Sequence, residues 1–238
     1  MAHEFIVHEQ NEGAYLQLPL LKKIRHAFCT RAGETRPLEA FGCQPGRLLT
    51  LRQVHGADVL IVAEDTKALA LAHPQPYDAV ITDKKNIALG IWTADCLPLL
   101  LADRSKKIIA AVHAGWRGIW QGVIERTVNE MIKTFGSSPA DIVAGIGPGI
   151  GPCCYEVKED VVSLFKNSYA VADQFIQERE GRHYLDLSRV AQLELTQVGI
   201  PTENIAAVPL CTACRGDLFF SYRREADAGR QLSFILLK

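Results

Sequence analysis

The stretch 108-IIAAVHAGWRGIWQGVIERTV-128 decides how this chain is read. An apolar run reaches His113, passes through Ala-Gly-Trp-Arg-Gly and then takes on a helical pattern. A short Ile, Ala and Val run bounded by turn residues reads as a buried strand. A polar side chain at the end of such a strand sits on rigid support, where binding and catalytic groups are held best. A loop that only turned would not need a large aromatic and a cation between its glycines. Arg117 lies in that glycine-flanked turn, where amides opening a helix and a guanidinium together favour an anion. A structural salt bridge is the other use for it.

Working outward, strands are expected at 58-DVLIVA-63, 78-DAVITD-83, 87-IALGIWTA-94, 97-LPLLLAD-103 and 107-KIIAAVHA-114, with a hairpin turn at 103-DRSKK-107. Residues 119–135 read as an amphipathic helix stopped by Gly136, with Ser-Ser-Pro beyond. A strand at 141-DIVAGIGP-148 runs into a Gly and Pro loop, and helices follow over 156-EVKEDVVSLFKN-167 and 188-SRVAQLELTQVG-199. Further strands are expected at 182-RHYLDL-187, 205-IAAVPL-210 and 230-RQLSFILL-237. The first fifty residues offer only short apolar pieces and turns, as in 26-HAFCTRAGE-34. Strands outnumber helices and cluster ahead of long ones, which points to α+β with a mixed sheet. No internal repeat or low-complexity linker interrupts the chain, so one domain is expected over residues 1–238.

With 238 residues the chain can bury a substantial core, and 48% hydrophobic with 22% charged residues is ordinary for a soluble protein. A net charge of -1 gives no global field favouring nucleic acid or anionic membrane. The longest apolar stretch, 87-IALGIWTADCLPLLLA-102, is too short to span a bilayer and is broken by Asp95 and Pro98. The start, MAHEFIVHEQNEG, lacks a basic head and a long apolar core, so no signal peptide is expected. Seven cysteines without an export signal then point to reduced thiols and a cytoplasmic location.

Three residues share one setting: His55 in 52-RQVHGAD-58, Cys96 in 93-TADCLPL-99 and His113 in 112-VHAGWRG-118. Each ends an apolar segment beside a residue that permits a turn. Two imidazoles and a thiolate make a three-ligand zinc site with an open fourth position, although their long spacing is no zinc-finger signature. Singly, each also reads as a hydrogen-bonded histidine or a small apolar cysteine. Cys96 can instead be a nucleophile with His113 or His55 as its base. Asp95 either orients an imidazole or caps backbone amides.

Two more stretches look site-like. In 145-GIGPGIGPCCYEV-157 the glycines lack the Gly-Lys-Ser/Thr ending of a Walker loop, so a rigid loop lining a pocket is expected. In 211-CTACRGDLFFSYRRE-225 the Cys-x-x-Cys suggests redox chemistry or zinc, without a second pair at zinc-finger spacing or a thioredoxin-like context. There Phe219, Phe220, Tyr222, Arg223 and Arg224 suit a planar or anionic ligand; the alternative is a core strand with a solvated basic end.

The blocks RQVHGADV, TADCLPLLL, AVHAGWRG, GIGPCCYEV and FFSYRRE…GRQLSFI run in order from about residue 26 to the C-terminus. They resemble the signature blocks of the laccase-domain family, whose members are also called multicopper polyphenol oxidases, purine nucleoside phosphorylases or peptidoglycan editing factors. The resemblance implies a zinc site at His55, Cys96 and His113, which would also be the catalytic residues. It implies a four-layer α/β/β/α sandwich with mixed sheets, related to a group of cysteine hydrolases. The implied activities are phosphorolysis of adenosine, inosine, guanosine and methylthioadenosine, and deamination of adenosine. Bound zinc brings the pKa of water toward neutrality, which suits a hydrolytic deamination. Phosphorolysis needs cations for phosphate, and Arg31, Arg52, Arg117 and Arg223 are the candidates, with Cys154, Phe220 and Tyr222 as further substrate contacts.

The family commonly carries Phe-Ser-Thr-Arg-x-Gly-Gly where this chain has 28-FCTRAGE-34. Arg31 and Gly33 are kept but Cys29 and Glu34 differ, so substrate preference shifts if that loop touches substrate. Cys214 is not a residue that the family would require. The copper-oxidase name fits poorly, because a multicopper centre needs many histidines and the seven here, His3, His8, His26, His55, His73, His113 and His183, are scattered. A cysteine-type amidase acting on a cell-wall precursor is the alternative, since Cys96 and His113 can act without metal. A binding module with a purely structural metal is a third. The expected partners are thus a purine nucleoside and phosphate, and nothing in the sequence sets the oligomeric state.

Overall fold

In the computed structural model, which describes residues 5–10, 13–32, 38, 40–43, 46–62 and 72–238, the strands gather into two large sheets and one small one. The first part of the chain contributes β1 (Ile6–Gln10), β2 (Gly13–Gln17), β3 (Arg25–Cys29), β4 (Leu48–Arg52), β5 (Val59–Val62) and β6 (Ala72–Pro76). The central apolar runs become β7 (Ala79–Thr82), β8 (Ala88–Thr93), β9 (Leu97–Asp103) and β10 (Ile108–Ala114), followed by helices α1 (Trp116–Trp120) and α2 (Val123–Phe135). Next come β11 (Ile142–Ile146), β12 (Glu156–Val157), α3 (Glu159–Ser168), β13 (Ile176–Arg179) and β14 (Arg182–Leu185). Helix α4 (Leu187–Gln197), β15 (Ile205–Ala207) and β16 (Gln231–Leu236) complete the chain.

One sheet has the order β1-β2-β3-β16-β8-β4-β6, the second β15-β11-β9-β10-β7-β5, and the small one β12-β14-β13. Strand β4 is parallel to β6 and β8, β5 to β7, and β11 to β15, while the other pairs are antiparallel. The architecture is therefore α+β with mixed sheets, as the strand-rich pattern implied.

Alternation along each strand builds the layers. Val80, Leu100, Ala102, Ile109 and Ala111 face Leu49, Leu89, Ile91 and Ile235 of the other large sheet. Their neighbours Ile81, Leu99, Leu101, Ala110 and Val112 point the opposite way, onto Val128 and Met131 of α2, Phe165 of α3 and Val190 of α4. The central strands are thus buried on both faces, which is why they read as continuous apolar runs. Each fully buried Leu or Ile there contributes about 1.5–3 kcal/mol. On the outer face of the seven-stranded sheet, Ala27, Ala88 and Phe234 meet Leu38, Phe41 and Cys43.

The 103–107 turn forms as expected. Asp103 Oδ1 accepts from the amides of Ser105 at 2.8 Å and Lys106 at 2.9 Å, and Lys107 takes φ +59°. The helix expected over 119–135 is instead two helices. Gly122 adopts φ +82°, a left-handed conformation that glycine takes without strain, and breaks the run between α1 and α2. Gly136, at φ +66°, ends α2 as expected. Residues 156–157 form β12 rather than the start of a helix, and α3 begins at Glu159. Strands β1 to β4, β6 and β13 were not anticipated, and Ala63, expected to end β5, lies outside the described residues. Among the described residues no helix is long and apolar enough to cross a membrane.

Candidate metal centre

Two strand registers assemble the site. Antiparallel pairing of β10 with β7 matches Val112 to Ala79, and one step further sets His113 opposite Asp78. Directly paired residues share a face, so the carboxylate meets the ring: Asp78 Oδ1 lies 2.7 Å from His113 Nδ1. Pairing of β10 with β9 matches Ala114 to Leu97, and the next step sets Gly115 beside Cys96. A Cβ on Gly115 would sit 3.0 Å from Cys96 Sγ and 3.0 Å from His55 Nδ1. The glycine after the strand therefore keeps a cradle clear between those two side chains.

His55 arrives from the loop after β4 with φ +61°, a left-handed conformation that costs a non-glycine residue about 1–2 kcal/mol. The same Asp78 holds it there. The amide of His55 donates to Oδ1 at 2.9 Å, and those of Val54 and Gly56 donate to Oδ2 at 3.2 and 2.7 Å. One fully buried carboxylate thus fixes both the His55 loop and the His113 ring.

The ligand atoms of His55, Cys96 and His113 all lie within 4.8 Å of one another. His55 Nδ1 is 3.9 Å from Cys96 Sγ, and the two imidazole centroids are 4.7 Å apart. Burial pushes the Cys96 thiol up, but hydrogen bonds with His113 and His55 outweigh it and bring the pKa down to about 6. Burial lowers that of His113, yet Asp78 and Cys96 overcome it and raise the ring to about 9. Asp78 is held below the usual carboxylate range; burial opposes this, while His113 and the Gly56 amide carry it. A thiolate, an imidazole fixed through its other nitrogen by a carboxylate, and a second imidazole can hold a metal ion.

Asp95 takes the capping role instead of orienting a histidine. At φ +98°, its Oδ1 accepts from Thr212 Oγ1 at 2.6 Å and its Oδ2 from the Arg223 amide at 2.7 Å. The residue before Cys96 thereby ties the metal triad to the 212–223 segment.

The triad opens into a cleft of about 1120 Å³ whose lining includes Trp116, Arg117, Tyr155, Tyr222 and Arg223. The Arg117 guanidinium sits 4.5 Å above the Trp116 ring, and that of Arg223 lies 5.3 Å from the Tyr155 ring. Helix α1 has only five residues, so attraction for an anion there comes from the Arg117 side chain rather than from a helix dipole. Of the residues singled out from the sequence, Arg117, Tyr222 and Arg223 come together with His55, Cys96 and His113. Arg31 and Phe220 pair with each other at 4.9 Å, and neither they nor Arg52 line this cleft. Cys154 joins three other cysteines outside it. Gly33 and Glu34 lie outside the described residues. Sequence reasoning missed Asp78, Trp116 and Tyr155, although the last two sit inside the blocks AVHAGWRG and GIGPCCYEV.

Residues 29–238 match the family model described as multi-copper polyphenol oxidoreductase laccase. The chain belongs to that family. A purine nucleoside phosphorylase of Clostridium acetobutylicum is 37% identical over 192 residues, 79% of this chain and 76% of its own length. The crystal structure of the hypothetical protein YfiH from Bacillus licheniformis superposes with a TM-score of 0.88 at 28% identity, over 98% of this chain and 99% of that one. YlmD from Geobacillus stearothermophilus gives 0.86 at 27% identity, over 99% of this chain and 100% of that one. Laccase-family membership and the two-sheet fold therefore agree. The family's description speaks of several coppers. Among the described residues, however, His55, Cys96 and His113 are the one histidine-containing group of three or more metal-capable side chains.

Proposed function

We propose that this chain is a zinc-dependent purine nucleoside phosphorylase that also deaminates adenosine, acting as a single-domain cytoplasmic enzyme on small molecules rather than on nucleic acid or membranes. The observation that carries the reading is the convergence of His55, Cys96 and His113 beside Arg117, Arg223 and the aromatic walls of one cleft. The names of the relatives support it. Adenosine, inosine, guanosine and methylthioadenosine are the proposed substrates.

In phosphorolysis a phosphate oxygen bonds to C1′ of the ribose while the bond from C1′ to the purine nitrogen breaks. The bonding pair leaves with the base. Arg117, together with Arg223, whose guanidinium also donates to the Cys154 and Glu156 carbonyls, would hold the phosphate as its charge passes toward the purine. Trp116, Tyr155 and Tyr222 offer flat faces for base and sugar. Asp78 keeps His113 Nδ1 occupied and the His55 loop fixed. Zinc bound by His55, Cys96 and His113 supplies Lewis acidity.

The deciding assay incubates zinc-loaded protein with adenosine, with and without phosphate, and identifies the products by chromatography, with Cys96→Ala as the contaminant control. Phosphate-dependent adenine together with inosine or hypoxanthine is expected. Absence of turnover in both conditions overturns the reading. In Arg117→Ala the KM for phosphate should rise about tenfold or more, as expected for losing a charge-assisted contact.

A second reading rests on one geometric fact: Asp78, His113 and Cys96 stand in line as carboxylate, imidazole and thiol. That is the arrangement of a thiol amidase, here one acting on a cell-wall muramyl precursor. His55→Ala separates the two. A thiol dyad survives that change, whereas a three-ligand zinc site loses its metal and its activity.

A further inference from the structure

Four cysteines that the proposed function leaves unused meet on the far side of the cleft wall. Cys153 and Cys154 lie in the Gly-Pro loop, Cys211 and Cys214 in the Cys-x-x-Cys turn, and all four sulfurs are within 4.8 Å of one another. We propose that they form a second metal site, a closed four-sulfur zinc site that staples residues 147–155 to residues 211–224.

The distances suit it. Cys214 Sγ is 3.3 Å from Cys154 Sγ and 3.5 Å from Cys153 Sγ. A tetrahedron with Zn–S bonds of about 2.3 Å has sulfur-to-sulfur edges of about 3.8 Å, so these two contacts open by about 0.5 Å or less and no other pair closes by more than about 1 Å when an ion enters. All four thiols are free, and thiols alone are weak donors and acceptors that gain little from crowding. Four soft thiolates in a tetrahedral arrangement select zinc or iron.

The backbone is arranged around the sulfurs. The Gly151 amide donates to Cys211 Sγ at 3.2 Å, a contact that a thiolate strengthens. The amide of Arg215 closes the Cys-x-x-Cys turn on the Cys211 carbonyl at 3.0 Å, and that of Cys154 bonds to the Gly151 carbonyl at 3.0 Å. A Cβ on Gly151 would lie 3.2 Å from Cys211 Cβ and 3.3 Å from Cys153 Sγ, so glycine keeps the two loops close. The sequence hid the site because the partner of the Cys-x-x-Cys is an adjacent pair far away in the chain.

Four protein ligands leave no open position, so the role is structural. Its reach extends to the cleft. The Cys154 carbonyl accepts from Arg223 Nη1 at 3.3 Å, Tyr155 is the next residue, and Thr212 beside Cys211 holds Asp95. The ion thus fixes the wall that carries Tyr155 and Arg223.

The test counts metal and thiols, and does not depend on turnover. Elemental analysis of wild-type protein should give about two zinc ions per chain, with one left in His113→Ala and one left in Cys211→Ser/Cys214→Ser. Should the double variant fail to fold, the wild type alone decides. Cys153 and Cys214 are exposed, so an alkylating reagent reaches both once no metal holds them. Bound to zinc, they should react about tenfold or more slowly until a chelator is added. Equal rates before and after chelation overturn the proposal. So do a disulfide among the four in a non-reduced peptide map, iron in place of zinc, or a zinc content that falls to zero in His113→Ala alone. A wild type that carries one zinc, kept in His113→Ala and lost in Cys211→Ser/Cys214→Ser, would sink the proposed function and leave the second site standing.

Discussion

His26 in β3 and His113 at the end of β10 are buried to the same degree, 0% and 3% exposed, yet they are built for opposite ends. His26 spends both ring nitrogens on backbone: Nε2 accepts from the Leu18 amide at 3.0 Å, and Nδ1 faces the Ile24 carbonyl at 2.9 Å. Burial then lowers its pKa to about 4, although the Ile24 carbonyl opposes this, and the ring stays neutral. His113 spends one nitrogen on a carboxylate and leaves the other for Cys96 and His55, and its pKa rises to about 9. Desolvation has the same sign in both. The difference is that a carboxylate and a thiolate face one ring, while two peptide groups bond the other and His8 opposes its protonation. A buried histidine is therefore diagnostic through its partners and its unspent atom, and burial by itself says nothing.

The largest test of that contrast is a pair of substitutions. With zinc at the triad, as proposed, His113→Ala should remove it and cut turnover by about 100-fold or more, since a lost ligand costs at least what a lost ligand partner does. His26→Ala should keep zinc content and kcat while losing about 2–4 kcal/mol of stability, from a cavity and two orphaned backbone groups. Zinc content, turnover and urea unfolding of both proteins read the result. Zinc lost from His26→Ala and kept in His113→Ala would break the comparison.

Asp78→Asn sharpens it. The amide keeps the shape but loses the charge that raises His113 and gathers the amides of Val54, His55 and Gly56. Zinc affinity should fall about 10- to 100-fold. Excess zinc should restore kcat, which a collapse of the fold would not allow.

The two sides of this contrast were not equally legible in the sequence. Strands β7 to β10 were read to within a residue because both of their faces are buried and turn residues bound them. Cys96 and His113 stood out at the ends of those runs, and His55 beside Gly56 ahead of β5. Asp78 did not, because its partnership with His113 exists only through the β7–β10 register. Strands β1 to β4 and β6 are short and mixed in composition, so periodicity gives them no contrast with the turns around them. The break at Gly122 was hidden because the apolar period continues across it, and a left-handed backbone leaves no mark beyond the glycine itself.

Acid supplies a smaller test. His26 has its pKa depressed from 6.5 to about 4, so the unfolded chain takes up the proton first as pH falls. Its contribution to stability is complete above pH 6.5 and is lost as pH falls through about 4, a change of about 3 kcal/mol. The unfolding free energy of wild type should therefore fall more steeply between pH 6.5 and 4 than that of His26→Gln, which cannot titrate there. Parallel curves would mean that the ring is not held neutral.

Glu194 in α4 sets the limit of the unspent-atom argument. Its Oε1 accepts from the Tyr169 hydroxyl, while Oε2 is buried with no partner among the described residues. Burial raises its pKa to about 7 against the opposing Tyr169 hydrogen bond, with Glu125 adding to the rise. Unlike His113, it does not line the cleft of the metal triad. The folded chain holds this proton more tightly than the unfolded one. The stabilisation is thus complete below about pH 4.5 and lost as pH rises through about 7, above which the buried carboxylate is a cost. Glu194→Gln should gain about 1–2 kcal/mol at pH 8 and little at pH 5, with kcat unchanged. Thermal melts at the two pH values, with turnover at fixed zinc, check both halves. An altered kcat would mean that an unspent buried atom reaches the site through the packing of α4 alone, and the line drawn between His26 and His113 would have to move.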